Sequence, residues 1–447
     1  MALSSVIINT TDGNIANGTG LSDEKVTGLL FDVSRQPDLF TSGYGLANSN
    51  KLKLNDILYI TNRKQAMNEF GIIERVDATS DNESAVNFMY GIPYYHIENF
   101  YRSFGNIDAE ARLYIMFADC SSNWDAIEDI QRAAGGRLRQ LGIWTEQPLW
   151  IKSGGGDKYN LDIVSSVNEK AVGLAAKHMP LSIVLSASTS NTGSSTAEGL
   201  RVDINKIPNA ISELSKVSVI IGQARNATVN AMQKANPVLT QVGCLGTVMG
   251  AIAKASVQES IAWVQKFNLY SDDFQDIEFG FGDLNLDEND EFESTNVFES
   301  IPETILDDLD EKGYMFPVKY VGIENGVFIS KDRTLSSKDF RTIARNRVIH
   351  KSRRAVRAAL LPTLNAPISV APSTGQISAA KITSFRNIVS DVLTAMKDAG
   401  EISGFKVVID PAQNILKNDA IKIGYLIVPI GVSSTIYVEE SLATTNA

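Results

Sequence analysis

The sequence predicts an α/β fold, or α+β for the chain as a whole: a middle domain with an open α/β sheet, a smaller α+β C-terminal domain, and an extended β arm at each terminus. Three observations support this prediction. Buried strand patterns alternate with helical patterns between residues 106 and 330, as they do in α/β domains. The pattern then changes to two long helices followed by two strands. A chain of 447 residues is also too long for one ordinary hydrophobic core.

The predicted domain boundaries follow these changes of pattern. They define an N-terminal arm and linker at 1–20, a mixed α/β segment at 21–105 that packs with the C-terminal domain, the middle domain at 106–330, the C-terminal domain at 331–431, and a C-terminal arm at 432–447. The linker sequence NTTDGNIANGTG has the composition of a flexible joint. No run approaches the roughly 20 apolar residues of a membrane span. The N-terminus lacks the pattern of a secretory signal.

The strands and helices of the middle domain are placed by their hydrophobic patterns. The predicted strands are ARLYIMFAD, PLSIVLSAS and KVSVIIGQA. The predicted helices are SNWDAIEDIQRAAGGRLRQLG, YNLDIVSSVNEKAVGLAAKHM, NATVNAMQKA and GCLGTVMGAIAKASVQESIAWV. In the last helix Gly243, Gly246 and Gly250 favour close helix packing over an anion site, because no Lys, Ser or acidic ribose ligand is adjacent. Asn325 and Gly326, between two β-rich runs, predict a hairpin.

The C-terminal domain is predicted from helical spacing and from residues that end helices. A first helix covers residues 340–361 and ends before Pro362, and a second covers residues 377–399 and ends at Gly400. The strands FKVVID and AIKIGYLIVPIG follow. The last β run, STIYVEE, is detached from them, and the run at residues 3–8 also lacks a hairpin partner nearby. We expect both runs to pair elsewhere.

Charge is distributed unevenly in a chain whose net charge is -11. Residues 271–311 carry many acids and no Lys or Arg, whereas residues 339–357 carry seven bases and one acid. The helix predicted there has an apolar arc and, opposite it, a cationic arc. The cationic arc contains Arg347, Lys351, Arg353, Arg354 and Arg357. A protein-facing electrostatic surface is the favoured interpretation; a solvated face and nucleic-acid binding are the alternatives, and the acidic rest of the chain disfavours nucleic acid.

The sequence offers no catalytic constellation. Its histidines, His96, His178 and His350, lie far apart, and neither HExxH nor GxSxG occurs. Cys120 and Cys244 have no cysteine nearby, which favours buried free thiols. SGGGDK departs from the spacing of a phosphate-binding loop and DLNLDENDEFES from that of a calcium loop. We therefore predict no catalytic residue, no cofactor and no metal ion; the alternative is a cytosolic α/β enzyme whose site the sequence does not identify.

Several motifs in the last quarter of the chain resemble the C-terminal domain of contractile tail sheath proteins from bacteriophages and related contractile injection systems. They are the helix that ends in LLP, the turn AGEISGF, the strand exit VVIDPAQN, and the strand IVPIG followed by a detached β run. The middle of the chain is similar to these proteins in its general α/β character. The sequence is also similar to sheath-like proteins from phages and prophages of Bacteroidetes-type bacteria.

The resemblance implies a non-enzymatic subunit of a helical polymer. Sheath proteins form stacked hexameric rings around a tail tube, together with baseplate and terminator proteins, in a virion tail or phage-tail-like particle made in the bacterial cytoplasm. Their terminal arms pair with strands of neighbouring subunits. The segments that match these arms contain Leu3, Val6, Ile7 and Ile8 near the N-terminus and Thr435, Ile436, Tyr437 and Val438 near the C-terminus.

The resemblance also implies that a helix of the C-terminal domain contacts the tube through charges and releases it on contraction. The cationic arc of residues 347–357 is one candidate for this contact. Lys381, Arg386 and Lys397 on the following helix are the other. Exposed ion pairs suit a contact that must release, because each contributes at most about 1 kcal/mol.

Overall fold

The protein has one large hydrophobic core around a seven-stranded sheet and smaller cores in its C-terminal domain. These features belong to a computed structural model in which the described residues are 23–35, 52–72, 84–106, 110–152, 159–188, 204, 207–235, 241–279, 284–286, 292–294, 296–418, 420–434 and 436–438. Residues 3–8 and Thr435, part of the predicted arms, lie outside them.

The described secondary structure alternates between strands and helices through the middle of the chain. The strands are β1 (Thr27–Asp32), β2 (Ile57–Ile60), β3 (Leu113–Ala118), β4 (Gln140–Pro148), β5 (Ile151–Lys152), β6 (Tyr159–Asn160), β7 (Ser182–Ser188), β8 (Val217–Ile220), β9 (Gln223–Arg225), β10 (Asp276–Glu278), β11 (Leu284–Leu286), β12 (Phe292–Ser294), β13 (Tyr314–Met315), β14 (Pro317–Val318), β15 (Phe328–Ile329), β16 (Ile402–Ile409) and β17 (Ile423–Pro429). The α-helices are α1 (Arg63–Phe70), α2 (Ser84–Phe104), α3 (Ala126–Ala133), α4 (Asp162–Ala176), α5 (Ala227–Ala235), α6 (Leu245–Lys254), α7 (Glu303–Glu311), α8 (Ile343–Leu360), α9 (Ala379–Asp398) and α10 (Ile415–Asn418).

The central sheet has the strand order β13, β8, β7, β4, β1, β3, β2. Neighbouring strands pair in parallel except β2 and β3, which are antiparallel. Helices cover both faces: a Cβ on Gly28 of β1 would approach Ile130 of α3, whereas one on Gly142 of β4 would approach Met249 of α6. Two-sided burial explains why strands such as LYIMFA are continuously apolar. The predicted α/β class is confirmed.

The segment before residue 106 belongs to the central sheet, contrary to the predicted boundary at residue 105. Strand β1 lies in the interior of the sheet, with β4 on one side and β3 on the other. Helix α2 packs along α6 in the same body. The segment does contact the C-terminal domain, but through the turn Asp23–Lys25 that precedes β1. The prediction of a separate segment was wrong because no local pattern indicates which strands will be its neighbours.

Two predicted helices are shorter than their sequence patterns suggested. Helix α3 ends at Ala133, and Gly135 and Gly136 follow with φ values of 62° and 71°, which residues other than glycine seldom adopt. The remaining residues of that pattern lead into β4 instead. Helix α6 ends at Lys254, because the backbone of Ala255 becomes extended. The residues after it form turns rather than the predicted continuation to residue 264.

Glycines in α6 allow it to approach α2 closely, as predicted. A Cβ on Gly246 would lie 2.1 Å from the carbonyl oxygen of His96, and one on Gly250 would lie 2.3 Å from that of Phe100. Real side chains do not tolerate such distances, so each position requires glycine while the helices keep this spacing. Gly243 precedes the helix with a φ of 82° and faces the Ser186 hydroxyl oxygen.

The C-terminal domain consists of α8 and α9 packed together, with the antiparallel pair β16 and β17 against them. Its core includes Val348 and Val356 from α8 and Val389, Leu393 and Met396 from α9. The predicted helix ends are confirmed: Pro362 lies in a 3-10 turn directly after α8, and Gly400 follows α9 with a φ of 69°. Both predicted strands are present.

The predicted hairpin is also present, although its strands are short. Residues 317–318 pair with residues 328–329 in antiparallel register. Asn325 has a φ of 53°, the left-handed conformation that asparagine adopts more readily than most residues. Tyr314 and Met315, just before the hairpin, join the central sheet beside β8.

We expect Gly250→Ala to destabilise the protein by about 1–3 kcal/mol, because the added Cβ would force α2 and α6 apart. The matched control is Gly173→Ala in α4, where no atom lies within 4 Å of the added Cβ. That exchange should stabilise the protein by about 0.5–1 kcal/mol through helix propensity. Chemical unfolding of both variants measures the difference, and a Gly250→Ala variant as stable as Gly173→Ala would contradict the close packing of these helices.

Candidate functional site

The first turn of α8 is fixed inside the middle domain. The buried carboxylate of Asp332 accepts hydrogen bonds from the backbone N–H groups of Ile343 and Ala344, at 3.0 and 3.1 Å. Thr342 caps the same helix by accepting from the N–H of Arg345. Burial raises the pKa of Asp332 to about 6, against the opposing effect of these two N–H groups. Ile343 itself belongs to the large core, so α8 begins in one core and continues into another.

Arg347, predicted as part of an exposed cationic surface, is buried within the subunit. Its side chain donates to the carbonyl oxygens of Ala255, Ser256 and Glu24, at 3.0, 3.2 and 3.4 Å. Two of these carbonyls lie just after the C-terminus of α6, where backbone acceptors lack helical partners. Burial lowers the pKa of Arg347 to about 10. The helical pattern predicted that Arg347 lies on the solvent-facing side of α8. This prediction was wrong, because the middle domain covers that side in the first turns of the helix.

Lys351 and Arg354 also make contacts within the chain. Lys351 forms an ion pair with Glu401, at the turn that follows α9. Arg354 donates to both carboxylate oxygens of Glu24, at 2.6 and 2.5 Å. Arg354 therefore links α8 to the turn before β1. Contrary to the prediction, neither Lys351 nor Arg354 is a free surface charge. From the predicted cationic surface Arg353 and Arg357 remain exposed.

A partly buried cation lies next to a histidine where α8 meets the central sheet. The Lys216 Nζ atom lies 3.0 Å from Asn346 Oδ1 and 3.1 Å from His350 Nε2. Burial, and then the charge of Arg353, lowers the pKa of Lys216 to about 8. Burial, and then the Lys216 charge, holds the pKa of His350 well below 6.5. His350 is therefore neutral, and its ring nitrogen can accept from the lysine.

The pair of strands β16 and β17 forms an open two-stranded sheet. Neither strand has a further pairing partner within the described part of the chain, so both outer edges carry unpaired backbone groups. One face packs on the helices through residues such as Val407, Tyr425 and Ile427. The other face exposes Val408, Leu426 and Val428. An open edge beside exposed apolar side chains is a surface on which another strand can add.

The described part of the C-terminal arm is exposed and forms no strand. Ile436, Tyr437 and Val438 are 81%, 91% and 84% exposed. Three consecutive apolar side chains at such exposure contact almost nothing in their own chain. The exchange of this arm between subunits stays a prediction, as does that of Leu3, Val6, Ile7, Ile8 and Thr435, which lie outside the described residues.

The described residues contain no group of three or more His, Cys, Asp or Glu that could hold a metal ion. Within the same residues no helix is both long and apolar enough to cross a membrane. His96 lies in the large core beside Phe31, and burial lowers its pKa to about 3. His96 lies on α2, His178 follows α4 and His350 lies on α8, so the three histidines lie in different parts of the fold. Cys120 and Cys244 are buried and free.

The fold is that of contractile sheath proteins. The chain is similar over 99% of its length to a chain of the anti-feeding prophage helical sheath in its contracted state (TM-score 0.53, 12% identity, 99% of that chain covered). It is similar to a chain in the six-fold symmetrised baseplate of the anti-feeding prophage (TM-score 0.54, 12% identity, 99% and 100% of the two chains). It is also similar to the contracted PVC sheath complex of an extracellular contractile injection system (TM-score 0.55, 11% identity, 99% and 98%).

Two family profiles match the sequence. One describes the N-terminal domain of the DUF2586 family and matches residues 157–333; the other describes the C-terminal domain of that family and matches residues 339–446. Together they span well over half of the chain, which therefore belongs to the DUF2586 family. No curated protein sequence matches the chain.

We expect Arg347→Ala to destabilise the protein by about 2–4 kcal/mol, because the carbonyl oxygens of Ala255, Ser256 and Glu24 would lose a charged donor in a buried site. The matched control is Arg357→Ala on the exposed side of the same helix, with an expected change within about 0.5 kcal/mol. Thermal or chemical unfolding measures both. Equal effects would mean that Arg347 is not a structural contact between the domains.

We also expect His350 to reduce the free energy of unfolding as the pH falls below 6.5, a contribution that His96 shares and that the raised pKa of Asp332 opposes. His350 stays neutral in the folded chain but takes up a proton in the unfolded chain. The unfolded state therefore binds more protons, and acidification stabilises it relative to the folded state. The loss should begin near pH 6.5, the ordinary pKa of histidine, and grow as the pH falls further. His350→Gln keeps an acceptor for Lys216 and should remove this share of the pH dependence, whereas the exposed control His178→Asn tests a general histidine effect. An unchanged slope in His350→Gln would contradict a neutral His350.

Proposed function

We propose that this chain is the structural, non-enzymatic subunit of a contractile tail sheath. In this role it polymerises as stacked hexameric rings around a tail tube, in a virion tail or phage-tail-like particle, and contracts to drive the tube through a target envelope. Its other partners are the baseplate and terminator proteins of that particle. The observation that carries the proposal is the open β16–β17 sheet together with the exposed apolar segment Ile436, Tyr437 and Val438. The sheath fold supports it.

The open sheet explains how subunits would join. Residues 3–8 of one neighbour and residues 435–439 of another supply the strands that β16 and β17 lack. Each exchanged hydrogen bond stabilises the joint by about 0.5–1.5 kcal/mol, because it pairs backbone groups that are otherwise left to water. Adding strands also extends the exposed apolar face formed by Val408, Leu426 and Val428.

The junction between the domains explains how a joined polymer would move. The buried contacts of Arg347 and Asp332 hold α8 to the middle domain, so the two domains move together. The Gly/Asn/Thr-rich sequence of residues 9–20 supplies the composition of a flexible joint between this body and the exchanged N-terminal strand. Bodies can then rotate during contraction while the exchanged strands stay paired.

The candidates for the contact with the tube are the charges that remain exposed on the C-terminal domain. On α8 these are Arg353 and Arg357, and on α9 they are Arg386 and Lys397. Lys381 packs over the ring of Phe385, with its Nζ atom 5.4 Å from the ring centre, which leaves it partly buried. Exposed ion pairs of about 1 kcal/mol or less suit a surface that must release the tube.

Removing either arm should abolish polymerisation and leave the domains folded. We expect negative-stain microscopy to show hollow tubes or six-fold rings for the full chain, and single particles for chains lacking residues 1–20 or residues 432–447. The matched control lacks residues 441–447 only, keeps the arm and should still assemble. Circular dichroism and thermal unfolding check that each variant is folded. Tubes formed without an arm would refute strand exchange, and globular particles from the full chain at every salt concentration would refute the sheath function.

A further inference from the structure

Arg353 and Arg357 of α8, here called the basic pair, have no carboxylate partner in the described part of the chain. The other cations of this helix are engaged: Arg345 with the carbonyl oxygen of Asp339, and Arg347, Lys351 and Arg354 as described above. Both members of the basic pair are exposed. They are four residues apart, so they lie on the same side of the helix, about 6 Å apart along its axis.

The basic pair lies beside an excess of positive charge. The charges of Arg353, Arg354 and Arg139 all act on His350, and that of Arg353 also acts on Lys216. One carboxylate, Glu24, serves two of these cations: it pairs with Arg354 at 2.5 Å and approaches Arg139 at 3.8 Å. Like charges packed together destabilise each other, so an acid supplied from outside the chain would stabilise this surface.

Helix α7 carries the opposite arrangement. Glu303, Asp307 and Glu311, here called the acidic stripe, are exposed and recur every four residues along one side of the helix. Other acids around them are paired within the chain: Glu299 with Lys319, Asp308 with Lys312, and Asp310 with Lys331 and Arg333. None of the three stripe residues has an ion-pair partner among the residues described. Like charges at this spacing weaken an isolated helix, so the stripe is not explained by the stability of α7.

We infer that the basic pair of one copy docks on the acidic stripe of a second copy. The two surfaces have opposite charge and the same spacing of one helical turn, so two ion pairs can form in register between the helices. Within one chain no ion pair joins these surfaces in the described residues. The inference rests on the proposed polymer, for which it names a contact between the middle domain of one subunit and the C-terminal domain of another. It leaves Arg386 and Lys397 of α9 for the tube.

Such a contact is weak and sensitive to salt. Salt screens exposed ion pairs, with a screening length of about 10 Å at 0.1 M ionic strength. Each contact therefore contributes little binding free energy. Repeated through a polymer, the contact sets the orientation of neighbouring bodies while strand exchange holds them together. Added salt should therefore reduce the polymer fraction.

The test exchanges the signs of the two surfaces in the full chain. Arg353→Glu with Arg357→Glu should reduce the sedimenting polymer fraction at least ten-fold at low salt, and Glu303→Lys with Asp307→Lys and Glu311→Lys should do the same. Combining all five substitutions should restore polymer to near the wild-type fraction. The matched control, Arg386→Glu with Lys397→Glu, makes the same charge change on α9 and should leave self-assembly intact. Thermal unfolding checks folding, and Arg353→Gln with Arg357→Gln provides a milder variant with an expected intermediate loss.

Each outcome separates the inference from the proposed function. If the wild-type chain polymerises and the chain with Arg353→Glu and Arg357→Glu polymerises equally well, the inference is overturned and the proposed sheath function is not affected. Loss of assembly without restoration in the combined variant would also overturn it. Normal self-assembly with loss of co-assembly on the tube would assign the basic pair to the tube instead. A wild-type chain that forms no polymer would overturn the proposed function and the inference together.

Discussion

Helix α8 belongs to two hydrophobic cores, and the buried guanidinium of Arg347 is the contact that fixes it in both. Its three carbonyl acceptors come from the end of α6 and from the turn before β1, so one side chain joins the middle domain, the N-terminal segment and the C-terminal domain. Asp332 fixes the first turn of the same helix from the other side. Separating the domains would break these hydrogen bonds and expose the apolar residues through which α8 packs in both cores. The joint is therefore rigid.

A rigid joint places constraints on how copies of this chain can assemble. The subunit does not bend at α8, so any change of arrangement in a polymer must occur between subunits or in the arms. Within the described part of the chain, the β16–β17 sheet has both edges open and an apolar outer face. It offers backbone hydrogen bonds that an arm can satisfy while the bodies rotate. Strong main-chain joints and weak charged contacts between bodies together suit a polymer that changes shape without coming apart.

Much of the fold could be predicted from sequence, because two-sided burial and helical spacing leave local patterns. Strand β7 and helix α4 were predicted close to their observed bounds, and α9 with its buried Ile382, Phe385, Val389 and Met396 was predicted from spacing alone. The position of β1 inside the sheet was not predicted, because strand order depends on contacts between segments that are distant in sequence. The predicted helix ran through Gly135 and Gly136. In the structure both glycines have a left-handed backbone, and α3 ends before them.

The candidate site was predicted less well than the fold. The amphipathic pattern identified α8 as basic and identified its apolar side, but it could not show which cations the rest of the chain covers. Arg347 and Arg354 find partners at Glu24, more than 320 residues earlier in the sequence. No periodicity links positions so far apart, and Asp332 and Lys216 were missed for the same reason. The sequence did place Arg353 and Arg357 on the exposed side of α8, because exposure on the outer side of a helix is a local property.

The central claim is that this chain assembles by completing the β16–β17 sheet with strands from its neighbours. A helical reconstruction of the self-assembled protein by cryo-electron microscopy tests it most directly. The account predicts a sheet in which β16 and β17 are flanked by terminal segments of other copies, one of them containing Ile436, Tyr437 and Val438. A polymer in which β16 and β17 remain two-stranded, or in which those residues pair within their own chain, would contradict it.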